Sequence, residues 1–264
     1  MDYSAITFDV RDNIATITLN RPDNANALNI DMSKELMQVA IQCSEDPSIR
    51  AVLLTGTGRM FCAGGDLKSF ASHGRGAQLA THLKEVTIYL HAAVSRFLRM
   101  DPPLIGVING VAAGAGKSIA CACDLVLAAE SSKFTMAYTR AGLTPDGSST
   151  YFLSRAVGMK RATELVLTNR MLSAQEAHEW GIVNQVVPDA ELMTEATKLA
   201  TALAAGATGA FGAAKRLLHN GWTETVETQM ELESQAIAAR AHTADGDEGI
   251  SAFLEKRTPN FTGK

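Results

Sequence analysis

Apolar and polar positions alternate over residues 6–10 and again over Ile14–Leu19, with Arg11-Asp12-Asn13 between them. That period of two predicts a β-hairpin at the start of the chain. The period then changes. Met32, Leu36, Met37 and Ala40 recur at helical spacing, and Asn29 or Asp31 just before them suits a helix N-cap. Residues 51–55 and Leu104–Ile108 are short apolar runs of buried-strand length, and each leads into a glycine-rich loop, Gly56 to Gly65 and Asn109 to Gly116. Between them an amphipathic helix is predicted over residues 78–99, closed by Asp101-Pro102-Pro103. A short helix through Ala122 and a strand at Leu125–Ala129 follow.

Strand, glycine-rich loop and helix therefore repeat in order. Buried apolar strands alternating with helices predict an α/β fold with largely parallel pairing. From about residue 150 the pattern turns helical. Ser173-Ala174-Gln175-Glu176 is a capping box, residues 181–187 form one last strand, and helices are predicted over 192–203, 210–219, 223–239 and 246–253. The domain reading is a core over residues 1–200 and a helical region over 201–264 suited to wrapping a partner subunit.

Composition narrows the classes. With 24 Lys and Arg against 28 Asp and Glu among 264 residues, the net charge of -4 offers no general attraction to nucleic acid or anionic lipid. No uncharged apolar run approaches the roughly 20 residues that cross a bilayer. The acidic start, MDYSAITFDVRDN, lacks the basic-then-apolar pattern of a secretion signal. A soluble cytoplasmic protein is expected. Cys43, Cys62, Cys121 and Cys123 have no Cys/His partners at zinc-ligand spacing, so they read as small buried side chains, with no metal implied.

The two glycine loops are where chemistry can sit. Small residues after a buried strand leave backbone N–H groups free to face a ligand, and the second loop also opens a helix. One such loop is what any tight turn needs. Two can converge on one anionic oxygen, and each donor to a developing oxyanion is worth roughly 3 kcal/mol.

Six segments, in order along nearly the whole chain, carry a more specific likeness: Arg21-Pro22 with Asn26-Ala27-Leu28-Asn29; Phe61-Cys62-Ala63-Gly64-Gly65-Asp66-Leu67; Asn109-Gly110 with Gly114-Ala115-Gly116; Cys123-Asp124; Gly181-Ile182-Val183; and Glu248 through Arg257. This pattern resembles the crotonase (enoyl-CoA hydratase/isomerase) superfamily. The resemblance implies a spiral of ββα turns with a helical C-terminal region that builds homotrimers, often paired into hexamers. It implies an acyl-CoA thioester substrate, with CoA belonging to the substrate and no separate cofactor. By position the two oxyanion amides are those of Gly65 and Ala115. Ala25, Ala27, Ala63, Asp66, Leu67 and Lys68 match loops that hold the CoA nucleotide and pantetheine, while Phe253 and Lys256 match tail positions that reach a neighbour's CoA site.

The same resemblance exposes a departure. Hydratases of this superfamily carry two glutamates, and here those positions are Ser118 and Tyr138, neither able to act as a carboxylate acid or base. Asp146, in Leu143-Thr144-Pro145-Asp146-Gly147-Ser148, is the remaining candidate. It reads either as a helix cap or, by resemblance to the isomerase members, as the one carboxylate needed to remove a proton and return it at another carbon. The expected activity is thus an enoyl-CoA isomerase. A rival resemblance is to the 4-chlorobenzoyl-CoA dehalogenases, whose nucleophilic aspartate and helix histidine match Asp146 and His91, with Tyr138 standing where they have a tryptophan, one aromatic for another. A hydratase or a non-catalytic RNA-binding member ranks below both. His82 and His91 lie nine positions apart on the long helix, so one is expected to face inward. Tyr138 reads as a packing aromatic or as an acyl-group partner, Ser118 as a passive small residue, and Lys117 as a solvated surface lysine rather than a CoA phosphate partner.

Overall fold

The computed structural model describes residues 3–264. The hairpin forms as β1 (Ile6–Arg11) and β2 (Ile14–Leu19), antiparallel in register from Ile6 opposite Leu19 to Arg11 opposite Ile14. Helix α1 (Ile30–Glu45) starts where Asn29 accepts the Met32 N–H, so Asn29 rather than Asp31 is the cap. Three ββα units follow. They are β3 (Ala51–Gly56), β4 (Met60–Cys62), α2 (Leu67–Ser72) and α3 (Ala77–Arg99); then β5 (Leu104–Ile108), β6 (Val111–Ala113) and α4 (Ala115–Ala122); then β7 (Leu125–Ala129), β8 (Lys133–Thr135), α5 (Ser149–Val157) and α6 (Met159–Thr168).

The first strand of each unit joins one sheet and the second joins another. The six-stranded sheet runs β1-β2-β3-β5-β7-β10, where β10 is Gln185–Val187, and is parallel from β2 onward. The four-stranded sheet runs β4-β6-β8-β9, where β9 is Leu172–Ser173, antiparallel to β8. Strands β4, β6 and β8 hold three residues each, too few for alternation to be read; the sequence shows β4 and β6 only as glycine-rich loop and gives no sign of β8. The capping box forms as expected at the start of α7 (Ala174–Glu179). The last strand, β10, is only Gln185–Val187, because Ile182 and Val183 both turn their N–H groups back to the Ala177 carbonyl.

Helix α8 (Leu192–Ala204) covers the outer face of the six-stranded sheet, packing Leu192, Ala196 and Ala200 against Leu53, Ile105 and Leu127. The expected boundary at residue 200 falls inside this helix, since its apolar face continues to Ala204. The chain ends in α9 (Thr208–Asn220), α10 (Val226–Ala241) and α11 (Ala244–Glu255). No helix among the described residues is long and apolar enough to cross a membrane.

One buried ion pair fastens α9 to the body. Lys215 Nζ lies 2.7 Å from Asp124 Oδ2 and also donates to the Phe97 and Pro102 carbonyls, while Asp124 accepts the Leu104 N–H. Removing one partner leaves the other charge largely desolvated and without its counter-ion. Lys215→Ala should therefore lower unfolding free energy by about 3–5 kcal/mol in urea denaturation, and a change under 1 kcal/mol would show the pair to be idle.

Candidate active site

The ends of β4 and β6 are parallel neighbours, so the loops that leave them come together. Gly64 and Gly114 both take left-handed backbone, at φ 101° and 50°. Their backbones approach so closely that a Cβ on Gly64 would stand 3.0 Å from the Ala113 carbonyl oxygen and 3.4 Å from the Gly114 Cα. Any side chain there would force the loops apart.

This contact brings Gly65 and Ala115 to one cavity of about 240 Å3. Leu28 pairs beside the first loop, donating to the Gly64 carbonyl and accepting from Asp66, which turns the Gly65 N–H the other way. Ala115 opens α4, where a first-turn N–H has no carbonyl four residues back. Among the described residues, neither N–H has a protein acceptor. Phe70, Leu83, Val86 and Leu143 give the cavity an apolar wall; Tyr138 and Asp146 supply its polar side.

Asp146 is not a helix cap. Ser148 holds the cap position of α5, and Ser149 bonds only the Asp146 main-chain carbonyl. Asp146 Oδ1 instead accepts a hydrogen bond from the Tyr138 hydroxyl. Burial pushes the carboxyl above its ordinary range, opposed by that hydrogen bond and by the His91 ring. Burial and then the Asp146 charge hold the Tyr138 phenol far above its usual value, so it stays a neutral donor.

Ser118, a small residue expected to be passive, belongs to this hydrogen-bonded group. It is fully buried, and its Oγ lies 2.8 Å from the Tyr138 hydroxyl and 3.2 Å from the Gly114 carbonyl. The two positions where hydratases carry glutamates thus meet in space, linked by hydroxyls, with Asp146 at the end of the chain.

Lys117 corrects the sequence reading outright: it is 0% exposed, burial pushes its pKa down, and its Nζ has no hydrogen-bond partner among the described residues. One turn of α4 carries Ser118 and Lys117 inward together, and the charge pattern alone did not reveal it. Of the histidines, His82 is the inward one, against Phe70 and stacked at 3.7 Å on exposed His73. His91 is exposed, yet its Nε2 accepts the Gly147 N–H at 3.2 Å. It braces the Asp146 loop from behind and is not part of the cavity wall.

The remaining predicted positions divide. Ala63 and Leu67 line the cavity, and Lys68 is exposed on α2 beside Leu67. The Ala25 carbonyl accepts the Ala63 N–H at 3.0 Å, and the Ala27 carbonyl accepts from Arg21. Phe253 is 82% exposed on α11, and Lys256 ends that helix; neither reaches the cavity of its own chain. Asp66 is buried and faces protein. It caps α2 through the Ser69 N–H at 3.0 Å and pairs with Arg21 at 2.9 Å. Burial would raise its pKa, but the Ser69 bond and the Arg21 guanidinium together bring it below the ordinary carboxylate range. Sequence reading missed Arg21 and Asn26 as organisers. Buried Asn26 accepts from Arg21 N and donates to the Thr57 and Met60 carbonyls, joining segments over 30 residues apart in the chain.

Residues 9–264 match the enoyl-CoA hydratase/isomerase family. The 1,2-epoxyphenylacetyl-CoA isomerase of Escherichia coli (strain K12) is 41% identical over 257 residues, 97% of each chain. A 4-chlorobenzoyl coenzyme A dehalogenase of an Arthrobacter species is 34% identical over 95% of this chain and 91% of its own. Among solved structures, an enoyl-CoA hydratase from Bacillus anthracis superposes with a TM-score of 0.92 at 35% identity, covering 99% of this chain and 100% of that one. The chain belongs to the enoyl-CoA hydratase/isomerase family and has the crotonase fold; its relatives carry three different chemistries.

The Asp66 pair yields a pH-dependent prediction. Because its folded pKa is depressed, the stabilisation is present above the unfolded value of about 3.9. It is lost as pH falls through the folded pKa. Asp66→Asn should cost roughly 1–3 kcal/mol at pH 7, and the gap to wild type should close below about pH 4. Chemical denaturation at both pH values measures it; a gap that persists in acid would assign the loss to something other than the charge.

Proposed function

We propose that this chain is an acyl-CoA isomerase that moves a double bond within the acyl group. The Gly65 and Ala115 amides hold the thioester oxygen. Asp146 removes the proton from the carbon next to the thioester, the electron pair shifts onto that oxygen as a dienolate, and Asp146 returns the proton two carbons further on. CoA is part of the substrate, and the reaction needs no separate cofactor. Ala25, Ala27, Ala63, Leu67 and Lys68 lie where the CoA arm would run.

A single observation carries the reading: one carboxylate, raised in pKa by burial, lies in the same cavity as two unpaired amides. A group that must gain and lose a proton works best with its pKa drawn toward the operating pH. Hydration needs a second group to activate water, and the hydroxyls of Ser118 and Tyr138 are already bonded to each other. A second reading, attack of Asp146 on a halogenated aryl ring, is supported by the dehalogenase relative. An RNA-binding role has no support from the net charge of -4.

Purified protein is to be assayed on 3-enoyl-, 2-enoyl-, 4-chlorobenzoyl- and ring-epoxidised aromatic CoA thioesters. Turnover of the 3-enoyl or epoxide substrates is expected, with Asp146→Asn lowering it roughly 10²–10⁴-fold. Undiminished turnover in that variant removes Asp146 from the mechanism, and chloride release replaces isomerisation with dehalogenation.

We also propose that α10 and α11 pack against other copies of the chain. Helix α10 buries none of its residues, and Val226, Met230 and Ile237 stand exposed on it, as do Ile250, Phe253 and Leu254 on α11. Phe253 and Lys256 would then border a neighbour's CoA. Sedimentation should give a trimer, or two paired trimers, of the 28.1 kDa chain, and Ile250→Glu with Phe253→Glu should release monomers. A monomeric wild type overturns this.

A further inference from the structure

We propose that Tyr138, backed by Ser118, is a positioning residue for Asp146: its hydroxyl occupies one carboxylate oxygen and leaves the other to take up and return the substrate proton. The inference rests on the isomerase reading and adds what directs the proton.

The hydrogen bonds fix the direction of the chain. An ionised carboxylate accepts only, so the phenol hydrogen goes to Asp146 Oδ1. The Tyr138 oxygen then has only lone pairs to offer to Ser118, 2.8 Å away, which makes Ser118 the donor there. Its Gly114 contact, at 3.2 Å, is the longer of the two. The hydrogens therefore run from Ser118 to Tyr138 to Asp146 and end at Oδ1. Oδ2 accepts from no other residue among those described. Tyr138 and Asp146 both line the cavity, whereas Ser118 sits fully buried behind them.

This arrangement answers a difficulty in one-carboxylate isomerisation. The oxygen that removes the proton must present it again at a different carbon, and a carboxyl free to spin could deliver from either oxygen. With Oδ1 tethered, the carboxyl plane is held and only Oδ2 moves protons. The tether is also charge-assisted, stronger toward the anion than toward the neutral acid. It thus offsets part of the effect of burial and keeps Asp146 ionised, ready to act as base.

The test is the pH dependence of kcat/KM for wild type, Tyr138→Phe, Ser118→Ala and Asp146→Asn on a 3-enoyl-CoA thioester; a wild type inactive on it overturns the isomerase reading and this inference with it. The base form is active, so the rate falls as pH drops through the Asp146 pKa. Deleting the phenol hydroxyl should move that acid limb up by about one pH unit; Ser118→Ala should move it the same way by less. Phenylalanine keeps the ring packing, and Ser118→Ala reads the same limb should Tyr138→Phe fold poorly. A uniform drop in rate with the limb unmoved would make both residues merely structural and overturn the proposal. If Asp146→Asn stays active, the proton-shuttle reading fails; if it is inactive and the limb is unmoved in the hydroxyl variants, the failure is confined to this inference.

Discussion

Two main-chain N–H groups, those of Gly65 and Ala115, have no acceptor among the described residues, and they are the constraint around which the site is arranged. A backbone N–H readily pairs with a nearby carbonyl, and a chain that keeps two of them open beside one cavity must hold the flanking backbone against pairing. Gly65 is held because Leu28 takes the opposite side of its segment. Ala115 is held because it opens a helix. Neither device needs a particular side chain at the amide itself, only small residues that let one loop rest on the other at Gly64 and Gly114.

The repeating ββα unit supplies that juxtaposition. Successive first strands build the six-stranded sheet, while the three-residue second strands β4 and β6 lie parallel and side by side. Equivalent loops of successive turns therefore arrive at the same place. Gly116 completes the contact, since a Cβ there would stand 2.4 Å from the Cys62 carbonyl oxygen and push α4 off β4. Arg21, Asp66 and Asn26 act one layer out, tying the loop before α1 to the loop that carries Gly65. The site's rigidity is a property of backbone packing more than of any catalytic side chain.

That division explains what could be read in the chain. The hairpin, α1, α3, β5, β7 and the capping box of α7 follow from period and cap chemistry, because each is long enough, or locally closed enough, for its own residues to fix it. Strands β4, β6 and β8 are too short and exist only because a neighbouring strand accepts their hydrogen bonds. The glycine loops were legible as small-residue turns, and the resemblance named which amides in them matter. Ser118, Lys117, Arg21 and Asn26 were misread or missed for one reason: each owes its role to partners or surroundings set by the tertiary fold, and helix phase alone did not place them.

Losing both glutamates does not leave the two positions empty of consequence. A carboxylate at either would put a second negative charge against Asp146, and like charges in a low-dielectric cavity cannot both stay ionised. Serine and tyrosine bring hydroxyls instead, which donate to an anion and carry no charge. The substitution pattern and the presence of Asp146 are thus two sides of one electrostatic choice. With two glutamates, acid and base can be separate groups; with Ser118 and Tyr138, Asp146 is the one carboxylate lining the cavity among the described residues, with the Tyr138 hydroxyl bonded to it. On the proposed reading, in which the backbone amides hold the thioester oxygen, that choice would decide whether water or the substrate's own proton completes the reaction.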